Sequence, residues 1–262
     1  MLYKNISISM QIFWWLSMCL SSCINSFLLY NVKPITKGEK YSKILSSLFL
    51  FSTTVRAVFP RIDVERICFF DSFISSTLVG RSLATIGEIS FAIQITLYLL
   101  TISKNLRINK YNTSLYLFPI MIVIAQGFCW TGVITKKQIN HSIEESIWML
   151  SVAFLLVPTF ITLLRKTKQT WTQYVFISVI ILSIMYVLFM AFVDIPMYYK
   201  RYNNDEKKNT KYLTFTEGLK DCMSCNTITR KWETWKEDSY WMFGYFTIAT
   251  LISILMIKSP KF

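Results

Sequence analysis

Residues 173–195 read QYVFISVIILSIMYVLFMAFVDI, and Asp194 is the sole formal charge among them. An α-helix needs roughly 20 apolar residues to cross the ~30 Å hydrocarbon core of a bilayer. This stretch meets that requirement, and a soluble core helix has no use for so long an unbroken run. Working outward, residues 9–30, 78–102, 115–134, 143–164 and 240–257 meet it too. The fold class expected is therefore all-α, a multi-pass transmembrane helix bundle.

Composition agrees. Of 262 residues 53% are apolar and 16% charged, against about 25% charged in soluble domains. The net charge of +13 does not imply nucleic acid. The basic residues sit in short clusters between apolar blocks, as in loops that face anionic lipid and set topology. The expected partner is the bilayer, together with a small ion or lipid head group; protein partners are not legible.

A seventh stretch, residues 44–59, is shorter and holds Ser46, Ser47, Ser52, Thr53, Thr54 and Arg56. It fits a full span, a re-entrant segment or an interfacial helix. The positive-inside rule favours a span. With seven spans, Lys33, Lys37, Lys40 and Lys43 share a side with Lys104, Arg107 and Lys110, with Arg165, Lys166 and Lys168, and with Lys258 and Lys261. With six, the four-lysine loop falls outside. About seven spans are thus expected, the N-terminus outside or lumenal and the C-terminus cytoplasmic. Leu20-Ser21-Ser22-Cys23 resembles a lipoprotein cleavage signal, but the apolar run continues to Tyr30, so the first span is read as retained.

The chain, residues 1–262, reads as a single membrane domain without internal repeats. Its long polar connection is an outer loop at 198–239. There Thr214 to Lys220 is expected to form a short helix. Trp232, Trp235 and Trp241 lie near helical spacing beside Arg230, Lys231 and Lys236, which suits either an interfacial helix on the bilayer or aromatic anchoring of the last span.

Charges near span ends are the informative feature, because an ionisable group at mid-membrane costs about 2.5–3.5 kcal/mol on insertion scales. In the third span Arg81, Thr85 and Glu88 fall on one helical stripe, with Gly80, Ala84 and Gly87 on the next. The small residues admit a neighbouring backbone. Two turns separate Arg81 from Glu88, so partners on other helices are expected for both. With seven spans, Arg56, Arg61, Asp63, Arg66, Asp71, Glu144, Glu145 and Asp194 converge on the same outer half. Arg81, Glu88, Glu144, Glu145, Asp194, Arg56, Arg61 and Asp71 form the candidate ligand or ion site. Two members also have structural readings. Ser142 and Glu145 fit a capping box, and Asp194-Ile195-Pro196 reads as a helix end, where a carboxylate opposes the dipole.

Among six cysteines, Cys19, Cys23 and Cys129 read as packing residues. Cys68, Cys222 and Cys225 are disulfide candidates. Cys222 and Cys225 lack the second pair that zinc requires, so no metal and no cofactor is expected. One histidine, His141, excludes bis-histidine haem and multi-histidine zinc sites. The last span has no mid-membrane lysine for a retinal Schiff base. The plan superficially resembles that of G-protein-coupled receptors, but Asp-Arg-Tyr and Asn-Pro-x-x-Tyr motifs are missing. No Walker, Gly-x-Ser-x-Gly or His-Glu-x-x-His motif occurs. The reading is a small transporter, channel or polar-ligand-binding membrane protein. A scaffold or assembly partner comes second. An intramembrane lipid-acting enzyme, with Glu88 or Asp194 as base, comes third, because no nucleophile or metal set is evident and no catalytic residue can be named.

Overall fold

The computed structural model describes residues 2–108, 112–224 and 227–258, with side chains from residue 10 onward, Asn112 excepted. The described residues form eight helices. They are α1 (Leu2–Asn31), α2 (Lys37–Val58), α3 (Thr77–Asn105), α4 (Asn112–Thr135), α5 (Ile139–Lys166), α6 (Thr170–Lys207), α7 (Phe215–Cys222) and α8, which runs Trp232–Phe243, Gly244–Ala249 and Thr250–Leu255. A small sheet joins β1 (Arg61–Ile62), β2 (Ile67–Cys68) and β3 (Thr227–Ile228), with β1–β2 antiparallel and β2–β3 parallel.

Five helices are long and apolar enough to cross a bilayer: Met10–Asn31, Thr77–Asn105, Thr113–Thr135, Ile139–Lys166 and Thr170–Lys207. The stretches 44–59 and 240–257 do not qualify, so the structure does not bear out seven spans. The reasons are local. Helix α2 starts at a Thr36 cap whose side chain accepts from the Glu39 amide, and over residues 41–58 Lys43, Arg56, four serines and two threonines lower its mean hydropathy. Helix α8 devotes its first turns to Glu233, Lys236, Glu237 and Asp238, and it ends at Leu255.

The chain divides into two compact units. One comprises Met1–Phe91 and Thr214–Ile257, the other Ala92–Leu213 and Lys258–Phe262. Helix α3 gives its first half to one unit and its second half to the other.

In the first unit, α2 buries Ser42, Ser46, Phe49, Leu50, Ser52, Thr53, Arg56 and Ala57. Its polar residues face protein. Ser253 Oγ donates to Ser46 Oγ (3.0 Å), Thr250 Oγ1 to Thr53 Oγ1 (3.2 Å) and Ser52 Oγ to the Leu83 carbonyl (2.6 Å). Ser52 approaches α3 at Gly87, where an added Cβ would sit 2.6 Å from Ser52 Oγ and 2.8 Å from its Cβ. The expected stripe of small residues on α3 thus has an occupant. Aromatic rings join α8 to α1. Trp235 is fully buried, 5.7 Å from Trp14 and 5.8 Å from Phe69. Trp14 Nε1 donates to the Ser239 carbonyl.

In the second unit, α3–α6 pack around Leu99, Leu115, Phe118, Leu156, Phe160 and Phe176. Helix α6 corrects an expectation. It does not end at Asp194-Ile195-Pro196 but runs through a π-helical turn, Met190–Asp194, to Lys207. Pro196 lacks an amide donor and its ring crowds the preceding turn; the wider turn before it shifts the hydrogen-bond register. Part of the expected outer loop is therefore helical. The short helix expected there is α7, with a Thr214–Glu217 capping box. Ser142 does not cap α5, which begins three residues earlier with Gln138 at the cap position.

Gly87→Ala should destabilise the protein by about 1–3 kcal/mol through overpacking. Adding Ser52→Gly should recover most of that loss. Thermal unfolding of the detergent-solubilised variants checks it: equal melting of the single and double variants would refute the α2–α3 contact.

Candidate functional site

Helix α2 ends at Val58, and residues 59–76 return the chain to α3. This connection, the last turn of α2 and the first turns of α3 hold four buried arginines, Arg66 among them at 1% exposure. Arg56, Arg61 and Arg81 are each 6% exposed, so each guanidinium must find acceptors inside the protein. Arg81 Nη2 donates to Glu88 Oε1 at 2.8 Å. Arg56 Nη1 lies 3.9 Å from the same oxygen. Against expectation Arg81 and Glu88 thus pair directly, while Arg56 supplies the expected partner from another helix. Helical side chains lean toward the N-terminus, so Glu88 leans back while the long arginine reaches forward. Two turns are bridged within one helix.

Arg61 is held at its far end. Its Nη1 donates to the Ser75 carbonyl, its Nη2 to Thr77 Oγ1 and its Nε to Asp63. Its stem fills the space over Gly80, where a Cβ would lie 2.5 Å from Arg61 Cδ. Burial pushes the Arg61 pKa below its ordinary value, and Asp63 opposes this only in part. Burial pushes the Asp63 carboxyl up, but Arg61, then Arg81 and Arg56, together outweigh it, and Asp63 titrates below the usual carboxylate range. One carboxylate therefore feels three guanidiniums.

Arg66 closes the β1–β2 turn with a left-handed backbone, φ 56°, which costs a non-glycine residue on the order of 1–2 kcal/mol. Its side chain opposes that cost. Nε pairs with Asp221 (2.6 Å), Nη1 donates to the Asp63 carbonyl (2.6 Å) and Nη2 lies 3.2 Å from Cys222 Sγ. Cys68 is disulfide-bonded. Cys222 is a buried free thiol whose pKa burial raises, Arg66 offsetting only part, so it is a poor nucleophile. The third disulfide candidate, Cys225, lies outside the described residues.

Arg56, Arg61, Arg81 and Glu88 come together in the first unit. Asp71 is exposed on the connection and stands apart from the ion pairs. Glu144, Glu145 and Asp194 belong to the second unit. Asp194 is buried within a continuous helix, so the argument from an opposed helix dipole lapses. Glu145 is half-buried; the fully buried neighbour is Glu144, whose Oε2 lies 2.9 Å from His141 Nδ1. His141 also stacks on Tyr198, 5.2 Å between centroids. Sequence reasoning passed over His141, Cys129 and Asp221. The i, i+3 spacing of His141 and Glu144 was available as a signal, but Asp221 meets Arg66 only through a fold contact 155 residues away in the chain.

No family model, curated protein or solved structure matches the chain.

Asp63 carries a pH prediction. Its folded pKa is depressed, so its stabilising effect is complete above the ordinary carboxylate value near 4 and is lost as pH falls through the folded value. Melting temperature followed from pH 7 downward should drop at the acid end, and Asp63→Asn should flatten that limb. An unchanged acid limb in the variant would contradict the assignment.

Proposed function

We propose that the chain is a seven-span membrane protein that binds a small anion, or the anionic head group of a lipid, at Arg56, Arg61 and Arg81. On this reading it is a transporter, channel or ligand-binding protein of one membrane domain, with its N-terminus outside or lumenal and its C-terminus cytoplasmic.

The observation that carries the site is Arg56. It is buried, yet its Nη1 has no hydrogen-bond acceptor among the described residues. Its carboxylate neighbour, at 3.9 Å, is already the hydrogen-bond acceptor of Arg81. The Arg56 guanidinium otherwise faces the rings of Tyr245 (5.8 Å) and Phe246 (5.2 Å). A buried charged donor left open is costly, and a planar guanidinium matches carboxylate or phosphate oxygens well. Arg61 and Arg81 beside it add positive potential in a low-dielectric setting.

The two further spans are α2 and the 232–255 helix. At 1.5 Å per residue their 22 and 24 residues extend about 33 and 36 Å, enough for the ~30 Å core. Ser46, Ser52, Thr53, Thr250 and Ser253 pack on neighbouring helices and need not meet lipid, while the exposed charges Lys37, Lys40, Glu233, Lys236 and Glu237 sit in the first turns of the two helices.

Two measurements test this. Cysteines introduced at Thr36 and at Ser72, in an otherwise Cys→Ser background that keeps Cys68 and Cys225, should react with an impermeant maleimide from opposite sides of the membrane. Labelling from the same side removes the α2 span. For the site, protein in phosphatidylcholine nanodiscs is melted with added inorganic phosphate, or with phosphatidylglycerol in the disc. Stabilisation by either source, lost in Arg56→Gln, supports the reading and says which source acts. No response to either, or an equal response in Arg56→Gln, overturns it.

A further inference from the structure

We infer that Cys129, His141 and Glu144 form a binding site for one borderline divalent cation of the zinc type. This site lies wholly in the second unit and is independent of the arginine cluster.

The geometry begins with the α4–α5 turn. Only residues 136–138 separate the two helices, and Lys136 makes the reversal with a left-handed backbone, φ 62°. The first turn of α5 is thereby laid against the last turns of α4. Gly132 permits the close approach: a Cβ there would sit 3.1 Å from His141 Cδ2 and Nε2. Cys129 is fully buried, Glu144 is 3% exposed and His141 6%. Their ligand atoms, one from each residue, all lie within 4.8 Å of one another. Cys129 Sγ is 3.9 Å from His141 Nδ1, and Glu144 Oε2 is 2.9 Å from the same nitrogen.

The shared nitrogen distinguishes chelation from a catalytic triad. A nucleophile–base–orienter chain uses the two imidazole nitrogens for different partners. Here thiol and carboxylate both address Nδ1, and one nitrogen cannot take the thiol proton while donating its own to the carboxylate. Three lone-pair donors converging on a point is instead what a cation organises. In a tetrahedral zinc site with bonds of ~2.0–2.3 Å, ligand atoms lie roughly 3.4–3.7 Å apart. Cys129 and His141 nearly match this, and the His141–Glu144 contact needs to open by only several tenths of an ångström. Sulfur, imidazole and carboxylate together select a borderline cation over calcium or magnesium, which prefer all-oxygen sets.

Charge supports the same occupant. A carboxylate in a buried site is expensive unless a positive charge neutralises it, and a bound divalent cation would do so while also deprotonating Cys129. His141 Nε2 has no hydrogen-bond partner among the described residues, so the imidazole is not locked into place by a second contact there. Three protein ligands leave a fourth position for water or an exogenous group.

The full chain, purified in detergent and stripped of metal, is titrated with Zn²⁺ and with Co²⁺. One equivalent of either should bind. The cobalt form should show a near-ultraviolet thiolate-to-cobalt charge-transfer band with visible bands of tetrahedral intensity. Cys129→Ser should remove the charge-transfer band, and Glu144→Gln should weaken zinc binding by more than ~10-fold. Replacing the other free cysteines, Cys19, Cys23 and Cys222, with serine should leave the band intact. Should Cys129→Ser fail to fold, this triple variant decides: its band supports the site, and loss of the band overturns it. Failure to bind one equivalent, or a band that survives Cys129→Ser, reduces the cluster to a His141–Glu144 ion pair beside a packed thiol.

Discussion

A buried guanidinium must satisfy its donors without water, and the first unit is arranged around that demand. Desolvating a charge costs several kcal/mol unless partners are in place. Arg61 takes the Ser75 carbonyl and Thr77 hydroxyl, which fixes where residues 72–77 turn into α3. Its stem occupies the space over Gly80, so the start of α3 cannot carry a side chain there. Arg81 reaches Glu88, and Glu88 in turn holds Arg56 at ion-pair distance, which ties the end of α2 to the fourth turn of α3. The connection between these helices is therefore shaped by ion pairing as well as by the burial of Ile62 and Phe69. The left-handed backbone at Arg66 fits this account, since its cost is opposed by contacts to Asp221 and the Asp63 carbonyl.

Polar packing follows from the same constraint. A helix that delivers an arginine into the bundle has to lie close to its neighbours, and α2 does so through Ser46, Ser52 and Thr53. Between helices in lipid, hydroxyl contacts are worth on the order of 0.6 kcal/mol each. Their larger effect is steric: small side chains bring backbones near enough for Arg56 and Glu88 to share a site. Phe49 stacked on Phe91, 4.5 Å between centroids, adds the apolar part of the same contact.

The apolar helices were legible in the sequence and the polar ones only partly so. The stretches at 9–30, 78–102, 115–134, 143–164 and 173–195 are predominantly apolar, and all five reappear as long helices. Residues 44–59 were ambiguous because hydropathy counts serines as solvent-seeking, whereas Ser46 and Ser52 are satisfied by Ser253 and Leu83. The end assigned to α6 at Pro196 was wrong because a proline rule describes regular α-helix, and a π turn changes the register in front of it. For the site, Arg56, Arg61, Arg81 and Glu88 were readable as charges placed where charge is expensive. Their mutual pairing was not, because helical rise measures backbone separation and takes no account of how far an arginine reaches. His141 was discounted as a lone histidine; its importance depends on Cys129, which only the α4–α5 turn brings to it.

The arginine group of the first unit and the Cys129–His141–Glu144 group of the second differ in the ligand chemistry each can support. Arg56, Arg61 and Arg81 around Asp63 and Glu88 bring more guanidiniums than carboxylates to one place, and the donor left open is a cation's N–H. Such a site favours an anion. Cys129, His141 and Glu144 bring acceptors and lone pairs to a point, and such a site favours a cation. No single small ion satisfies both: phosphate would be repelled by Glu144, and zinc finds no lone pair on a guanidinium. A transporter reading that treated all the acids and arginines as one coupling site would therefore combine groups of opposite selectivity. The carboxylate common to the arginines is Glu88, and in that setting it balances charge. In the second unit Glu144 is the carboxylate positioned to ligate. The two acids that the sequence placed on equal terms are thus separated by their neighbours, one facing guanidiniums and the other an imidazole and a thiol.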